Sequence, residues 1–202
     1  MAISARANGV RSRAAILDRA LGLAASAGLQ AATIGALSDA LGMSKSGVFA
    51  HFGSKDALDL AAIDAAAERF ARGVMAPAAT APPGIARVVA LCEGFLAFVT
   101  PAAGEPARLP PDHPAFGVRP SPAAHARLAA WRAAWREAIA ASVAEAIARG
   151  EMAPSSDAAQ VVFELRALLE AATRDMRDEP AAVIVTRTRR AIDRALVTWS
   201  AA

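Results

Sequence analysis

Apolar residues recur every third or fourth position along almost the whole chain, and this period constrains the fold more than any single motif. Leu128, Trp131, Trp135, Ile139, Val143 and Ile147 form one stripe that ends at Gly150. The same spacing relates Ile85, Val88, Leu91, Phe95 and Phe98, then Val161, Leu165, Leu168, Ala172 and Met176, then Val185, Thr188, Ile192, Leu196 and Trp199. Residues three and four apart share a helix face, whereas a half-buried strand alternates by two, so the pattern predicts an all-α fold. Composition agrees, since 55% of residues are hydrophobic but only 5% are aromatic. The apolar content is therefore mostly Ala, Leu, Val and Ile, and Ala favours helix while offering little to a sheet. Each buried Ala contributes little transfer free energy, so the few Phe and Trp residues must carry the core.

Caps and breakers divide the pattern. Residues 1–9 read as a disordered arm, and Val10, Ala14, Leu17 and Leu21 open a first helix that Gly28 ends in the left-handed region. Thr33 then caps the short helix IGALSDAL, which Gly42 closes, and Ser44 caps a second short helix, KSGVFAHF, which Gly53 ends. Ser54 caps a longer helix through Leu58, Ala62, Ala66 and Phe70 towards Met75. Pro77, Pro82 and Pro83 mark a joint. Seven of the twelve prolines lie between Thr100 and Pro122, which requires a loop or a broken helix there, either a lid or an idle surface loop. Ser121-Pro122, Asp157 and Glu179-Pro180 open the last three helices. The expected division is a helix-turn-helix head at residues 10–58 and a helical body at residues 59–202.

Charge falls unevenly on this division. Residues 1–55 carry Arg6, Arg11, Arg13, Arg19, Lys45 and Lys55 against Asp18 and Asp39, a balance of +4, which leaves −1 for the remainder of a chain whose net charge is +3. Lys45 and Lys55 are the only lysines. A basic end on a neutral body fits a nucleic-acid-binding head on a separate core. The lone Cys92 forms no internal disulfide and suits a reducing, cytoplasmic compartment. The early Ala/Leu run is interrupted by Asp18 and Arg19 and holds Gly22, Ser26, Gly28 and Gln30, which argues against a membrane span. His51, His113 and His125 have no metal-ligand spacing among themselves or with Cys92, and neither a Gly-rich phosphate loop nor a nucleophile elbow occurs. No catalytic residue, metal or cofactor is expected, and Asp112-His113 in the Pro-rich stretch reads as solvated.

Thr33 to Leu58 carries the functional signal. Two short helices joined by a Gly-containing turn make the bihelical layout that enters DNA, although hairpins of this kind are also common in all-α proteins that bind none. The second helix opens on small and basic residues, Lys45, Ser46 and Gly47, while Val48 and Phe52 point inward. Gly47 costs about 1 kcal/mol against Ala in a helix, which close backbone approach to DNA would offset. Thr33, Ser44 and the amides of their helix N-termini suit phosphates, with His51 and Lys55 extending the row.

The segment resembles the tetracycline-repressor-like (TetR) family. That family opens with an RxxILxAA-type helix, here Arg13-Ala14-Ala15-Ile16-Leu17-Asp18-Arg19-Ala20, followed by a Gly-containing bend, here Ala27-Gly28-Leu29. Thr-Ile appears as Thr33-Ile34, and Gly-Val-Ser-Lys-Gly as Gly42-Met43-Ser44-Lys45-Ser46. The Tyr-x-His-Phe-x-Ser-Lys-Glu-x-Leu ending appears as Phe49-Ala50-His51-Phe52-Gly53-Ser54-Lys55-Asp56-Ala57-Leu58. Phe49 stands where the family usually has a Tyr whose hydroxyl meets a phosphate, and Ser46 replaces a frequent Gly.

The resemblance implies a homodimeric transcriptional regulator, a ligand-responsive repressor on a palindromic double-stranded DNA operator, with a small-molecule pocket in the body. The alternative is an all-helical small-molecule-binding protein without DNA binding. The last two helices would then supply the dimer interface through Val161, Leu165, Leu168, Ala172, Val185, Thr188, Ile192, Leu196 and Trp199, unless those stripes only fill the chain's own core. Pocket candidates are Cys92, Phe95, Phe98, Phe116, Trp131, Trp135 and Phe163, whose apolar character suits a hydrophobic effector. A Trp pair at i, i+4, such as Trp131 and Trp135, is more often core than ligand site.

Overall fold

The computed structural model describes residues 2–101, 108–111, 113–116 and 121–200. Among these residues the regular elements are helices, with a single isolated bridge between Met152 and Ser200. In chain order they are α1 (Ala2–Ala27), a 3-10 turn (Leu29–Ala31), α2 (Ile34–Leu41), α3 (Lys45–Phe52) and α4 (Lys55–Phe70). A π-helical turn (Ala71–Met75) follows, then α5 (Ala76–Ala79), α6 (Ile85–Val99), a 3-10 turn (Pro114–Phe116), α7 (Pro122–Ala148), α8 (Ala158–Asp175) and α9 (Ala181–Trp199). No helix among the described residues is long and apolar enough to cross a membrane. The chain forms two compact units, one comprising Met1–Arg69 with Gly104–Arg132 and the other Phe70–Ala103 with Ala133–Ala202.

The first unit is built on one apolar cluster. Ile16, Leu17, Ala20 and Ala24 of α1 pack with Leu29, Leu37 of α2, Val48 of α3, Leu58 and Ile63 of α4, Phe116, and Leu128 of α7. Ile16, Leu37, Val48 and Leu58 are wholly buried, and burial of a side chain of this size contributes about 1.5–3 kcal/mol. Exposed ion pairs join Asp18 to Arg69 and Asp64 to Arg127 around this cluster. The head is thus larger than residues 10–58, because α4 and the start of α7 complete its core.

Two local expectations change. Helix α1 runs from Ala2 rather than from about Val10, so the expected disordered arm is helical over its described part. Ala and Arg are good helix formers, and Gly9 alone does not interrupt them. Gly28 does take positive φ, but its φ of 83° and ψ of 158° place it outside the left-handed helical region, so it reverses the chain into the 3-10 turn without closing α1 by a left-handed cap.

The second unit is organised around Phe70. This wholly buried ring meets Phe95, Phe98 and Trp135 edge-on at centroid distances of 5.9, 5.3 and 5.0 Å, and Phe95 stacks on Trp135 at 5.9 Å. Such pairs add about 0.5–1.5 kcal/mol each beyond the area they bury. Gly94 lets α6 approach the π-helical turn, since a Cβ there would lie 3.3 Å from Val74 Cγ1. The start of α6 is capped from afar: the Ile85 N–H donates to Glu151 Oε2 at 2.8 Å, and a Cβ on Gly84 (φ 97°) would collide with that carboxylate. Arg149 and the Ile85 N–H hold the Glu151 carboxyl below its ordinary value.

Helices α8 and α9 pack against each other along Val161, Leu165, Leu169 and Ala172 on one side and Ile184, Thr188, Ile192 and Leu196 on the other, all buried. Trp199 Nε1 donates to Glu164 at 3.1 Å and closes the far end of this seam.

Candidate nucleic-acid interface

Two capped N-termini and one exposed helix face define the site in the first unit. Thr33 is in extended backbone, and its Oγ1 accepts from the Ala36 N–H at 3.0 Å. Ser44 does the same for α3, with Oγ accepting from the Gly47 N–H at 3.0 Å and lying 3.1 Å from Ser46 Oγ. Between the helices Gly42 takes the left-handed conformation at φ 63°, and Gly53 ends α3 at φ 75°, conformations that a side chain with Cβ resists. The caps predicted at Thr33, Ser44 and Ser54 are all formed, the last through the Ala57 N–H at 3.0 Å.

Val48 is wholly buried and anchors α3, while Phe52 lies half-buried beneath the Arg13 guanidinium, 4.8 Å from the ring centroid. The opposite face carries Lys45, Ser46, Phe49 and Ala50, all exposed, at positions i, i+1, i+4 and i+5. His51 is half-buried and stands beside Phe52. Gly47 has a reason visible only in the structure: a Cβ there would sit 3.0 Å from Ser44 Oγ and crowd the cap. Lys45 passes over α2 at Gly35, whose added Cβ would meet Lys45 Cε at 3.7 Å.

Lys55 departs from the expected phosphate-facing row. Its ammonium donates to the carbonyls of Leu29 at 3.1 Å and Ala32 at 2.9 Å and to Asp59 Oδ1 at 2.6 Å. A lysine has three N–H donors, and all of them turn inward. Lys55 therefore ties the 3-10 turn before α2 to α4 and is a positioning residue. Burial raises the Asp59 carboxyl above its ordinary value, and the Lys55 contact opposes that rise. Nothing in the local sequence distinguishes a lysine that faces outward from one that closes on carbonyls 23 and 26 positions earlier. The Arg13 contact with Phe52 was equally hidden.

The candidate pocket residues do not converge. Cys92, Phe95, Phe98 and Trp135 are buried in the second unit, with Phe70, absent from the expected set, at the centre of the ring cluster. Phe116 and Trp131 belong to the first unit. Phe163 is 65% exposed and lies outside any core. Burial pushes the Cys92 thiol up to about 12. A cleft of about 160 Å³ in the first unit is bordered by Gln30, Lys55, Asp59, Ile63 and Phe116, and an open groove of about 500 Å³ in the second by Leu96, Thr100, Val185 and Arg189.

Among the expected interface residues Val161, Leu165, Ala172, Thr188, Ile192 and Leu196 are buried within the single chain, whereas Leu168, Val185 and Trp199 are half-buried. Most of the apolar stripe legible in the sequence is thus buried within the chain's own core. Exposed apolar side chains on these helices are instead Phe163, Val183 and Val197. His113 is buried rather than solvated, its Nδ1 accepting from the Ala115 N–H at 3.1 Å, while Asp112 lies outside the described residues. Among the described residues no group of His, Cys, Asp and Glu side chains is placed to hold a metal ion.

Residues 16–62 match the family described as bacterial regulatory proteins, tetR family, and residues 116–192 match the tetracyclin repressor-like C-terminal domain. The chain belongs to the TetR family. It is a DNA-binding transcription regulator with a helix-turn-helix head and a helical C-terminal domain. Solved TetR structures share the fold over nearly the whole chain. A regulator from Chloroflexus aurantiacus is 24% identical with a TM-score of 0.74, covering 94% of both chains. The TetR-family regulator CifR, solved with a 26-bp operator DNA, is 22% identical with a TM-score of 0.73, covering 91% of this chain and 94% of its own. A putative regulator from Saccharomonospora viridis in complex with choline is 20% identical with a TM-score of 0.69, covering 91% and 95%. No curated protein matches the sequence.

Proposed function

We propose that this TetR regulator is a cytoplasmic homodimeric repressor that places α3 in the major groove of a palindromic operator and leaves it when a small organic effector binds the body. The observation that carries the reading is the face of α3: Lys45, Ser46, Phe49 and Ala50 are exposed, with Ser46 and Ala50 short, beside two capped helix N-termini. A helix fits the groove when its outer face is slim, and the free amides at a helix N-terminus attract phosphate. Thr33, Ser44 and Lys45 are the phosphate-side groups, with Ser46 and Gly47 facing the bases and His51 at the edge. CifR with its operator supports the DNA role by likeness of fold.

Dimerisation would use the outer faces of α8 and α9, where Phe163 and Val197 are 65% and 73% exposed. A two-fold pairing repeats the same patch on both copies and spaces the two heads by about one turn of DNA or a multiple of it. The effector site would adjoin the Phe70, Phe95, Phe98 and Trp135 cluster, and the choline-bound relative supports a small organic occupant. An effector that prefers the released arrangement by a few kcal/mol suffices to change operator occupancy.

Retention of genomic DNA fragments by the purified protein, followed by sequencing, tests this reading. A shared two-fold motif is expected, with binding that weakens steeply as salt rises. Lys45→Ala with His51→Ala should abolish selection, and absence of any retained motif would favour a helical small-molecule-binding protein that has lost the DNA role.

A further inference from the structure

Phe49 is 51% exposed, and among the described residues of the first unit only Val10 is a more exposed large apolar side chain. It stands on the same face of α3 as Lys45, Ser46 and Ala50. Ser46 and Ala50 are short, so Phe49 is the longest apolar side chain on the face assigned to the groove. A phenyl ring offers a phosphate no hydrogen bond. On the major-groove edges of the bases the one apolar group is the thymine C5-methyl.

Resting on the DNA-binding reading above, we propose that Phe49 reads a thymine in each half of the operator by packing its ring against the C5-methyl, and so sets sequence specificity. The ring replaces a contact to the backbone, common to all sequences, with one that depends on the base. Lys45 at i−4 would hold the adjoining phosphate and Ser46 at i−3 the neighbouring base edge, which fixes the register in which the ring meets the methyl. An exposed ring left in water by DNA binding would gain nothing, whereas one laid on a methyl buries apolar area on both partners.

The test uses duplexes carrying the operator motif selected by the wild-type protein, with thymines replaced one at a time by deoxyuridine, which lacks only the methyl. Loss of one buried methyl corresponds to about fourfold weaker binding per half-site and about fifteenfold when both halves are changed. Phe49→Ala should bind the thymine and uracil duplexes equally, with the wild-type salt dependence, and Phe49→Leu should retain part of the preference. Circular dichroism checks that both variants are folded. The proposal is overturned if no thymine shows the penalty, or if Phe49→Ala keeps it in full. A wild-type protein that selects no DNA motif would overturn the DNA-binding reading itself, an outcome separate from ordinary operator binding that ignores the methyl.

Discussion

Replacement of Lys55 by Met separates a positioning lysine from a phosphate ligand. The variant keeps an unbranched apolar stem and removes an ammonium that holds the carbonyls of Leu29 and Ala32 and the Asp59 carboxylate. Hydrogen bonds to a charged group contribute about 1.5–3 kcal/mol each. The Lys55 and Asp59 side chains are 35% and 26% exposed, so water satisfies much of what is released, and the net loss is taken as about one such bond, roughly 2 kcal/mol. For a chain of 202 residues unfolding as one unit, at about 2–4 °C per kcal/mol, that lowers Tm by about 4–8 °C. The deficit should depend on pH. Burial already raises the Asp59 carboxyl, so the folded state keeps its proton above the ordinary value and stability falls as pH rises through the folded pKa. Without Lys55 that pKa climbs further, so the deficit is largest at neutral pH and shrinks as acid neutralises Asp59. Thermal melts and urea titrations at several pH values measure it. Operator titration against salt supplies the second axis: Lys45→Ala should lower the slope by about 0.9 per head, whereas Lys55→Met should leave it unchanged. A Lys55→Met variant with wild-type stability and a slope reduced like that of Lys45→Ala would refute the inward assignment.

If the proposed dimer pairs through the outer faces of α8 and α9, Phe163→Asp and Val197→Asp should each yield monomer at micromolar concentration by sedimentation, with the helical signal retained. Each copy loses an apolar contact worth about 1.5–3 kcal/mol, twice over by symmetry. The Cys92 thiol, pushed up to about 12 by burial, should resist thiol reagents at pH 8 in the native protein and react fully in guanidinium. Because the folded state keeps this proton, stability should fall as pH rises above 9. Glu151→Gln should lower the melting temperature by weakening the cap on α6. The wild-type carboxyl is held low by Arg149 and the Ile85 N–H, so its contribution is present above about pH 4.5 and lost as pH falls through the lower folded value.

Local signals in the sequence reached far into this fold. Caps at Thr33, Ser44, Ser54 and Asp157 and stops at Gly42, Gly53 and Gly150 bound the helices where residue chemistry predicts them. Each depends on a contact within a few residues. What local signals left open depends on distance. The stripes of α8 and α9 were legible, yet whether a stripe meets its own chain or a second copy is a property of the partner, and most of these residues proved to be internal. Phe163 looked like a pocket residue by type and is exposed, whereas Phe70, read only as one position in a helix, is the hub of the aromatic cluster. Lys55 fits a motif by spacing, but its role is set by two carbonyls brought back by the reversal at Gly28.

That last displacement alters how the head can work. With Lys55 turned inward, Lys45 is the only lysine of the chain left on the surface. Arg13 lies over the Phe52 ring and Arg11 donates to Asn8, neutral partners that leave both charges in place. One cation fewer than the motif spacing implies faces the phosphates, so the sequence-independent part of binding, which scales with phosphates neutralised, is lower by that contact in each head. Phosphates are common to operator and unrelated DNA, so the operator must be distinguished by contacts that are not electrostatic. Phe49 fits that requirement: where a hydroxyl would add one more phosphate contact, the ring adds area that responds to the base. On this reasoning Phe49→Tyr, whose hydroxyl draws the ring towards a phosphate and away from the methyl, should raise affinity for unrelated DNA by more than for operator, narrowing the ratio between them. Competition binding of the variant against both DNAs measures that ratio, and a ratio that widened would contradict the division of labour between Lys45 and Phe49.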